Sequence, residues 1–301
     1  MTLPTSGTVV TYPLGDLTSE SRVLHIEPLD DGRLAVLLDR TSCHPVDAGW
    51  PDQPADRGVL DAGDVTIEIL DAVVAATDGG ALYLGSDIPV RKGTEGWAFV
   101  VAHLVGEDAG LTEGDTVTVE VDPAFRAAIS AGHSACHLAS LALNAALAGA
   151  WSKDARPDSL GHPDFDGAAN ESSLITERGS VDTYRVGKSL RKSGFDPAAL
   201  DDPDAVAGVV DATLASWVSA GSAIRIERDG ETLTDRRYWV ADLPDGQARI
   251  ACGGTHAGST EELGAITVEL TTEQLEGALG VTMHTRTAPT HPAPPHPTDT
   301  N

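Results

Sequence analysis

The sequence predicts an α+β protein in two parts: a small N-terminal antiparallel β-barrel, then a unit whose helices pack on an antiparallel sheet. Three observations predict it. Short apolar or alternating runs recur up to Val121, a long run rich in alanine and leucine follows Asp122, and strand-like alternation returns after residue 220. With 301 residues and 41% hydrophobic content the chain can bury a sizeable core, and two ordinary domains are expected, 1–122 and 123–283. Residues 284–301 are expected to form a disordered tail rich in proline and histidine.

The elements follow in order. "TVVTYPL", "RVLHIEPL", "RLAVLLD", "VTIEIL", "WAFVVAHLV" and "TVTVEV" read as strands, and "DDG", "DAGD" and "TDGG" supply the turns between them. Asp122 is a good N-cap and Pro123 suits the first helical position, so a long helix is predicted from about Pro123 to Ala148. The stretch from Lys153 to Ala169 is polar, with aspartate, glycine and proline. A second helix is predicted in "DPDAVAGVVDATLASWVSAG", again with aspartate before proline, and "SAIRIER", "RRYWVAD", "ARIACGG" and "GAITVEL" read as strands. In the tail, His284, His291 and His296 are too widely spaced on a flexible segment to define a metal geometry.

Composition narrows the function. A net charge of −26 favours solubility and opposes nucleic acid unless basic residues are gathered locally, and it fits a proteome adapted to acidic surfaces. The opening "MTLPTSGTVV" has neither a basic nor an apolar leader segment, and no stretch is apolar enough to span a bilayer. A soluble cytoplasmic protein with no membrane partner is expected. Three cysteines are too few for a disulfide framework and read as free thiols or metal ligands.

Two short spacings carry the chemistry. His133 and His137 stand four apart in the long helix, on the face that Phe125, Ile129 and Leu141 continue. Cys252 and His256 also stand four apart, around Gly253 and Gly254, which let the turn close tightly. Together they offer three imidazoles and one thiolate, a donor set suited to tetrahedral Zn2+. The helical pair looks like the zincin motif H-E-x-x-H, but Ser134 follows the first histidine, so the general-base glutamate is missing. Cys136 points about 100° away from His137 and is assigned to the core.

"GHSACHLASLAL" followed by "CGGTHAGSTEELGAITV" resembles the editing domain of alanyl-tRNA synthetases and its free-standing AlaX-type relatives. "LDRTSCHPVDAGWPDQPADRG" and "VEVDPAFRAAISAGH" extend the resemblance across most of residues 7–270. The resemblance implies hydrolysis of mischarged alanine tRNA, chiefly its seryl and glycyl esters, with His133, His137, Cys252 and His256 as zinc ligands. Gln53, Asp39 and Arg40 belong to the resembling segment and are candidates to line the cleft for the acceptor end; Thr255, between Cys252 and His256, is a candidate for a hydroxyl near the bound amino acid, with an alternative role in capping the turn. Gln53 and Thr255 are thus the candidate catalytic residues.

The chain departs from the family pattern. The family has three glycines directly before Gln-Pro, whereas "DAGWPDQP" keeps only Gly49; Ser134, Ala139, Cys43 and Glu261 are further departures. The segment from His162 to Asp196 does not resemble the common editing core. Within it Arg178, Arg185, Lys188, Arg191 and Lys192 face one acid, Asp182, and suit phosphate contact, with Tyr184 as a stacking option or else as part of a solvated face. Four ligands close a zinc ion, as structural sites usually are. Two catalytic versions stay open: one ligand leaves, or the ion orients the amino group while a separate water attacks. The length is expected to leave no room for an adenylation domain. Two rivals to trans-editing are a metal-dependent hydrolase of a small ester or amide, and a structural zinc domain that binds a partner.

Overall fold

The computed structural model describes residues 3–288. Ten strands precede the long helix: β1 (Val9–Val10), β2 (Thr18–Pro28), β3 (Leu34–Leu38), β4 (Arg40–Thr41), β5 (Gly58–Asp61), β6 (Thr66–Ile69), β7 (Asp71–Thr77), β8 (Leu82–Leu84), β9 (Ala98–Val105) and β10 (Thr116–Val121). Eight of them form one antiparallel sheet in the order β6-β5-β10-β2-β3-β9-β7-β8. Only Leu70 separates β6 from β7, and its N–H donates to Leu104 O at 2.8 Å. The chain pairs with β5 before this bend and with β9 after it, which curls the sheet around its core.

That core is built from alternate residues, among them Val23, Val36, Leu38, Leu60, Val101, Val117 and Val119. β9 does not alternate in sequence because both its faces are covered: Phe99, Val101 and Val105 point inward, while Val100 and Leu104 pack with Ala35, Leu37 and Ala75 on the other side. The expected first strand shrinks to β1, since Pro13 and a tight turn over Tyr12–Leu14 end it.

The second part comprises α1 (Pro123–Ala146), α2 (Phe165–Ala169), β11 (Asn170–Thr176), β12 (Gly179–Val186), α3 (Lys188–Lys192), α4 (Pro203–Ser219), β13 (Ile224–Arg228), β14 (Arg237–Leu243), β15 (Gly246–Ala251), β16 (Ala265–Leu275) and β17 (Ala278–Ala288). Mixed α and β structure with antiparallel sheets is observed, in two sheets rather than one: β11-β12-β17-β16 and β13-β14-β15. Both long helices begin as read from the sequence. Asp122 accepts the N–H groups of Ala124 and Phe125, and Asp202 accepts that of Ala205.

α1 packs on β12 while α4 packs on β16, with Leu138, Leu143, Trp217 and Trp239 between the layers. Gly132 lets this happen: a Cβ there would collide with the carbonyl oxygens of Thr176 and Gly179. The β11–β12 hairpin that makes this contact arises from the segment unlike the common core.

β17 runs to Ala288, so His284, where the tail was expected to begin, pairs instead with Val181 and Glu269. His291, His296 and the rest of the expected tail lie outside the described residues. The two parts interlock. Val10 N–H donates to Glu231 O at 2.8 Å, Leu233 N–H donates to Thr8 O at 3.0 Å, and Leu233 fills the first core. Arg126 of α1 also pairs, buried, with Asp56 and donates to Ser42 O at 2.7 Å. Among the described residues no helix is long and apolar enough to cross a membrane.

Candidate metal centre

α1 carries His133 and His137 one turn apart, and the irregular segment after β15 carries Cys252 and His256 against them. One donor atom from each lies within 4.8 Å of all the others. Cys252 Sγ stands 3.4 Å from His133 Nε2 and 3.3 Å from His256 Nε2. Zinc bonds of the usual lengths give tetrahedron edges of about 3.5 Å, so these separations suit one ion. The glycine that matters most does so through space. A Cβ on Gly254 would collide with Gln53 Oε1 and the His133 ring, which makes room the reason for glycine there.

Hydrogen bonds fix which ring nitrogen faces the centre. Gln53 Oε1 accepts the backbone N–H of Thr255 at 3.0 Å, which sets the orientation of the amide; the same oxygen lies 2.7 Å from His133 Nδ1. His133 must therefore donate from Nδ1, leaving a lone pair on Nε2 toward Cys252. Ser134 Oγ accepts the N–H of Ala257 at 3.0 Å and lies 3.3 Å from His256 Nδ1, so it engages that nitrogen and leaves Nε2 facing Cys252. His137 Nε2 is buried with no hydrogen-bond partner. An unpartnered ring nitrogen beside two others turned toward the same point and a thiol is what a soft divalent cation satisfies, and the residues present fit such an ion.

The electrostatics agree. Burial holds all three imidazoles neutral: His137 falls to about 4, and His133 and His256 lie well below the usual range, each depressed further by its histidine neighbours. Burial pushes the Cys252 thiol up to about 12. A cation is thus needed to draw off its proton.

Gln53 and Thr255, read as the candidate catalytic pair, do come together. Gln53 Nε2 donates to Thr255 Oγ1 at 3.0 Å, and Ser130 Oγ donates to the same oxygen at 2.9 Å. Gln53 touches His133 as an orienting group. Asp39 accepts the N–H of Arg22 at 2.8 Å, and Arg40 lies exposed on β4.

The basic strip is elsewhere. Along β12, Asp182 and Tyr184 are buried toward α1, so Arg185 projects from the opposite face of the sheet. Arg191 donates to Gly277 O at 2.6 Å, Lys188 and Lys192 are exposed on α3, and Arg178 sits half-buried in the hairpin turn with φ 62°. Tyr184 packs on Phe165 with ring centroids 5.4 Å apart and offers no stacking surface. Its place on the buried face of β12 is what the sequence reading missed.

Three further residues were missed as site residues: Ser130, Ser134 and Asp52. The serines had a signal, since each lies within one turn of His133. Asp52, where the family has glycine, places Oδ2 3.5 Å from His133 Nε2. Burial raises its carboxyl to about 6 against the opposing pull of the Gln53 and Trp50 N–H groups.

No family model matches the chain. It is similar to the alanyl-tRNA editing protein AlaX-M of Pyrococcus horikoshii, 25% identical over 232 residues that cover 77% of this chain and 78% of that protein. It is also similar to the alanine–tRNA ligase of Ruegeria pomeroyi, 29% identical over 170 residues, 55% of this chain and 18% of the ligase. For the alanine–tRNA ligase of Frankia alni the identity is 27% over 300 residues, 93% of this chain and 29% of the ligase. The chain spans under a third of these ligases but most of the length of AlaX-M. The resemblance read from the motifs holds: this is a protein like the editing domain of alanyl-tRNA synthetases.

Proposed function

We propose that the chain is a trans-editing deacylase that hydrolyses the ester joining serine or glycine to the 3′ ribose of alanine tRNA. The observation that carries the reading is the cluster of His133, His137, Cys252 and His256, with His137 Nε2 left unpartnered. Similarity to a protein named for alanyl-tRNA editing supplies the substrate class. On this reading the chain joins an N-terminal barrel, 1–122, to an editing-type domain, 123–283, and works in the cytoplasm beside translation.

Those four residues would hold a zinc ion, which when bound supplies Lewis acidity and makes water a better nucleophile near neutral pH. The chain's own groups do the positioning. Gln53 and Ser134 hold His133 and His256 with Nε2 toward the centre. Thr255 Oγ1 already receives two hydrogen bonds, so its own hydrogen is the one left to give to the aminoacyl group. The Asp52 carboxylate stands beside His133 Nε2, in reach of a substrate ammonium. His137, Cys252 and His256 are part-buried, so one side of the cluster is within reach of solvent and substrate; with four protein ligands a catalytic ion would need one of them to leave, or would orient the amino group while a separate water attacks. The basic strip Arg178, Arg185, Lys188, Arg191 and Lys192 is assigned to phosphates of the tRNA body away from its 3′ end.

The test is deacylation of seryl-, glycyl- and alanyl-tRNA, all charged on alanine tRNA. Rapid metal-dependent loss of the first two with the third spared is expected. A folded, metal-loaded protein that leaves all three intact would overturn the reading. Hydrolysis of small esters by that same preparation would favour the rival hydrolase, which the net charge of −26 keeps in play.

A further inference from the structure

Trp50 is 72% exposed, more than any other large apolar side chain among the described residues. An exposed indole alone means little. This one is mounted. Its Nε1 donates to Asp52 Oδ2 at 3.0 Å, and that oxygen is the one 3.5 Å from His133 Nε2. Two polar contacts therefore separate the indole from the metal-facing nitrogen.

The segment that carries it is pinned throughout. Trp50 N–H donates to Asp47 O at 2.9 Å, Asp47 Oδ1 accepts Gly49 N–H at 2.9 Å, and Asp47 Oδ2 pairs with Lys92 at 2.8 Å. Asp52 O accepts Ile175 N–H at 2.8 Å, and the next residue is Gln53 of the centre. The indole thus stands fixed by its polar edge at the rim of the site, with its ring in solvent.

We infer that Trp50 is the platform on which the terminal nucleobase of the substrate stacks, with Asp52 as the positioning residue that holds the indole. The inference rests on the proposed reading, in which the ester sits at the metal centre. One ribose separates that ester from the terminal base, so the base must lie at the rim. Stacking also suits this chain's charge. Against a net −26 it needs no cation, and it tolerates any base because every base has a π-face.

Two oligoribonucleotides test this, one ending in the tRNA sequence CCA and one with an abasic ribose in place of that last adenosine, titrated against wild type, Trp50→Ala and Trp50→Phe. Wild type is expected to bind the CCA strand more tightly by a factor between about fivefold and a hundredfold, with Trp50→Phe keeping most of the preference and Trp50→Ala none. Because stacking carries the preference, the ratio should change little between low and moderate salt. An equal preference for CCA in wild type and Trp50→Ala would overturn the platform even if wild type deacylates mischarged tRNA. A Trp50-dependent preference in a protein that deacylates nothing would uphold the platform and remove the proposed reaction instead. If wild type self-associates and Trp50→Ala does not, with no CCA preference in either, the indole is a protein contact and the inference falls.

Discussion

Two buried polar clusters flank helix α1, and each contains a cysteine. Toward β15 the helix offers His133 and His137 to Cys252 and His256; toward β12 it offers Cys136 to Asp182. Both thiols are pushed up by burial, Cys252 to about 12 and Cys136 well above its usual value. Their company differs. In the first cluster three imidazole nitrogens and a thiol converge, and His137 Nε2 has nothing to bind. In the second, Asp182 accepts Ser180 Oγ at 2.7 Å and Cys136 Sγ at 3.4 Å, while Asp166 accepts Ser140 Oγ at 3.0 Å and gives its N–H to Asn144 at 2.8 Å. Ring nitrogens and a thiol converging on one point call for a cation, whereas carboxylates that take up neighbouring hydroxyl and thiol protons hold elements together.

The widest separation between the clusters should come from their cysteines. Cys252→Ala is expected to lose the bound metal and at least about a hundredfold in deacylation, while Cys136→Ala keeps both. Metal analysis of the two purified variants, each checked for a folded far-ultraviolet spectrum, makes the comparison. Equal metal content would erase the distinction drawn here. Loss of folding in Cys252→Ala would move the centre to a structural role.

Gln53→Ala sharpens the same contrast one step out. It removes the group that holds His133 in its tautomer and frees Thr255, and should cost about 10- to 100-fold in metal affinity or activity. Competition with a chelator measures the affinity. Asp182→Ala, in the other cluster, should leave the metal in place but destabilise the fold by about 2 kcal/mol, since Ser180 and Cys136 lose their acceptor in a buried site. Denaturant melts with metal stoichiometry decide it. A drop in metal content for Asp182→Ala would mean that the clusters are coupled through the helix.

The sequence displayed these clusters unequally. His-x3-His on a helix and Cys-x3-His around glycines are local spacings, so the first cluster was legible in its ligands, and the turn of α1 did the rest. Asp122-Pro123 and Asp202-Pro203 likewise announced both long helices through a cap and a fixed φ. Gln53, Asp52 and Trp50 reach the site from the N-terminal part, across a fold whose register no local pattern encodes; only a resemblance pointed to Gln53. The second cluster was hidden because polar residues of several kinds make up most of β11 and β12, which blurs the apolar period of a strand. Tyr184 was misjudged for the same reason: without the register of β12, its inward face could not be told from the outward face of Arg185.

The smallest expected effect is a change in slope with pH. Burial raises the Asp166 carboxyl to about 6 from an ordinary value of 3.8, so the folded state holds that proton more tightly than the unfolded chain. From about pH 4 to pH 6 this group makes the fold less stable as pH rises, and above 6 the full penalty is present. His44 and His103, depressed by burial to about 4, act the other way and add stability as pH rises toward 6.5. Asp166→Asn keeps an acceptor for Ser140 and removes only the opposing component. Its stability should therefore climb more steeply than that of the wild type between pH 4 and pH 6, ending of the order of 1 kcal/mol higher at pH 7. Urea midpoints at pH 4.5, 5.5 and 7 measure the two profiles. Parallel profiles would show that the carboxyl is solvated, and that this cluster lacks the closed character that separates it from the metal centre.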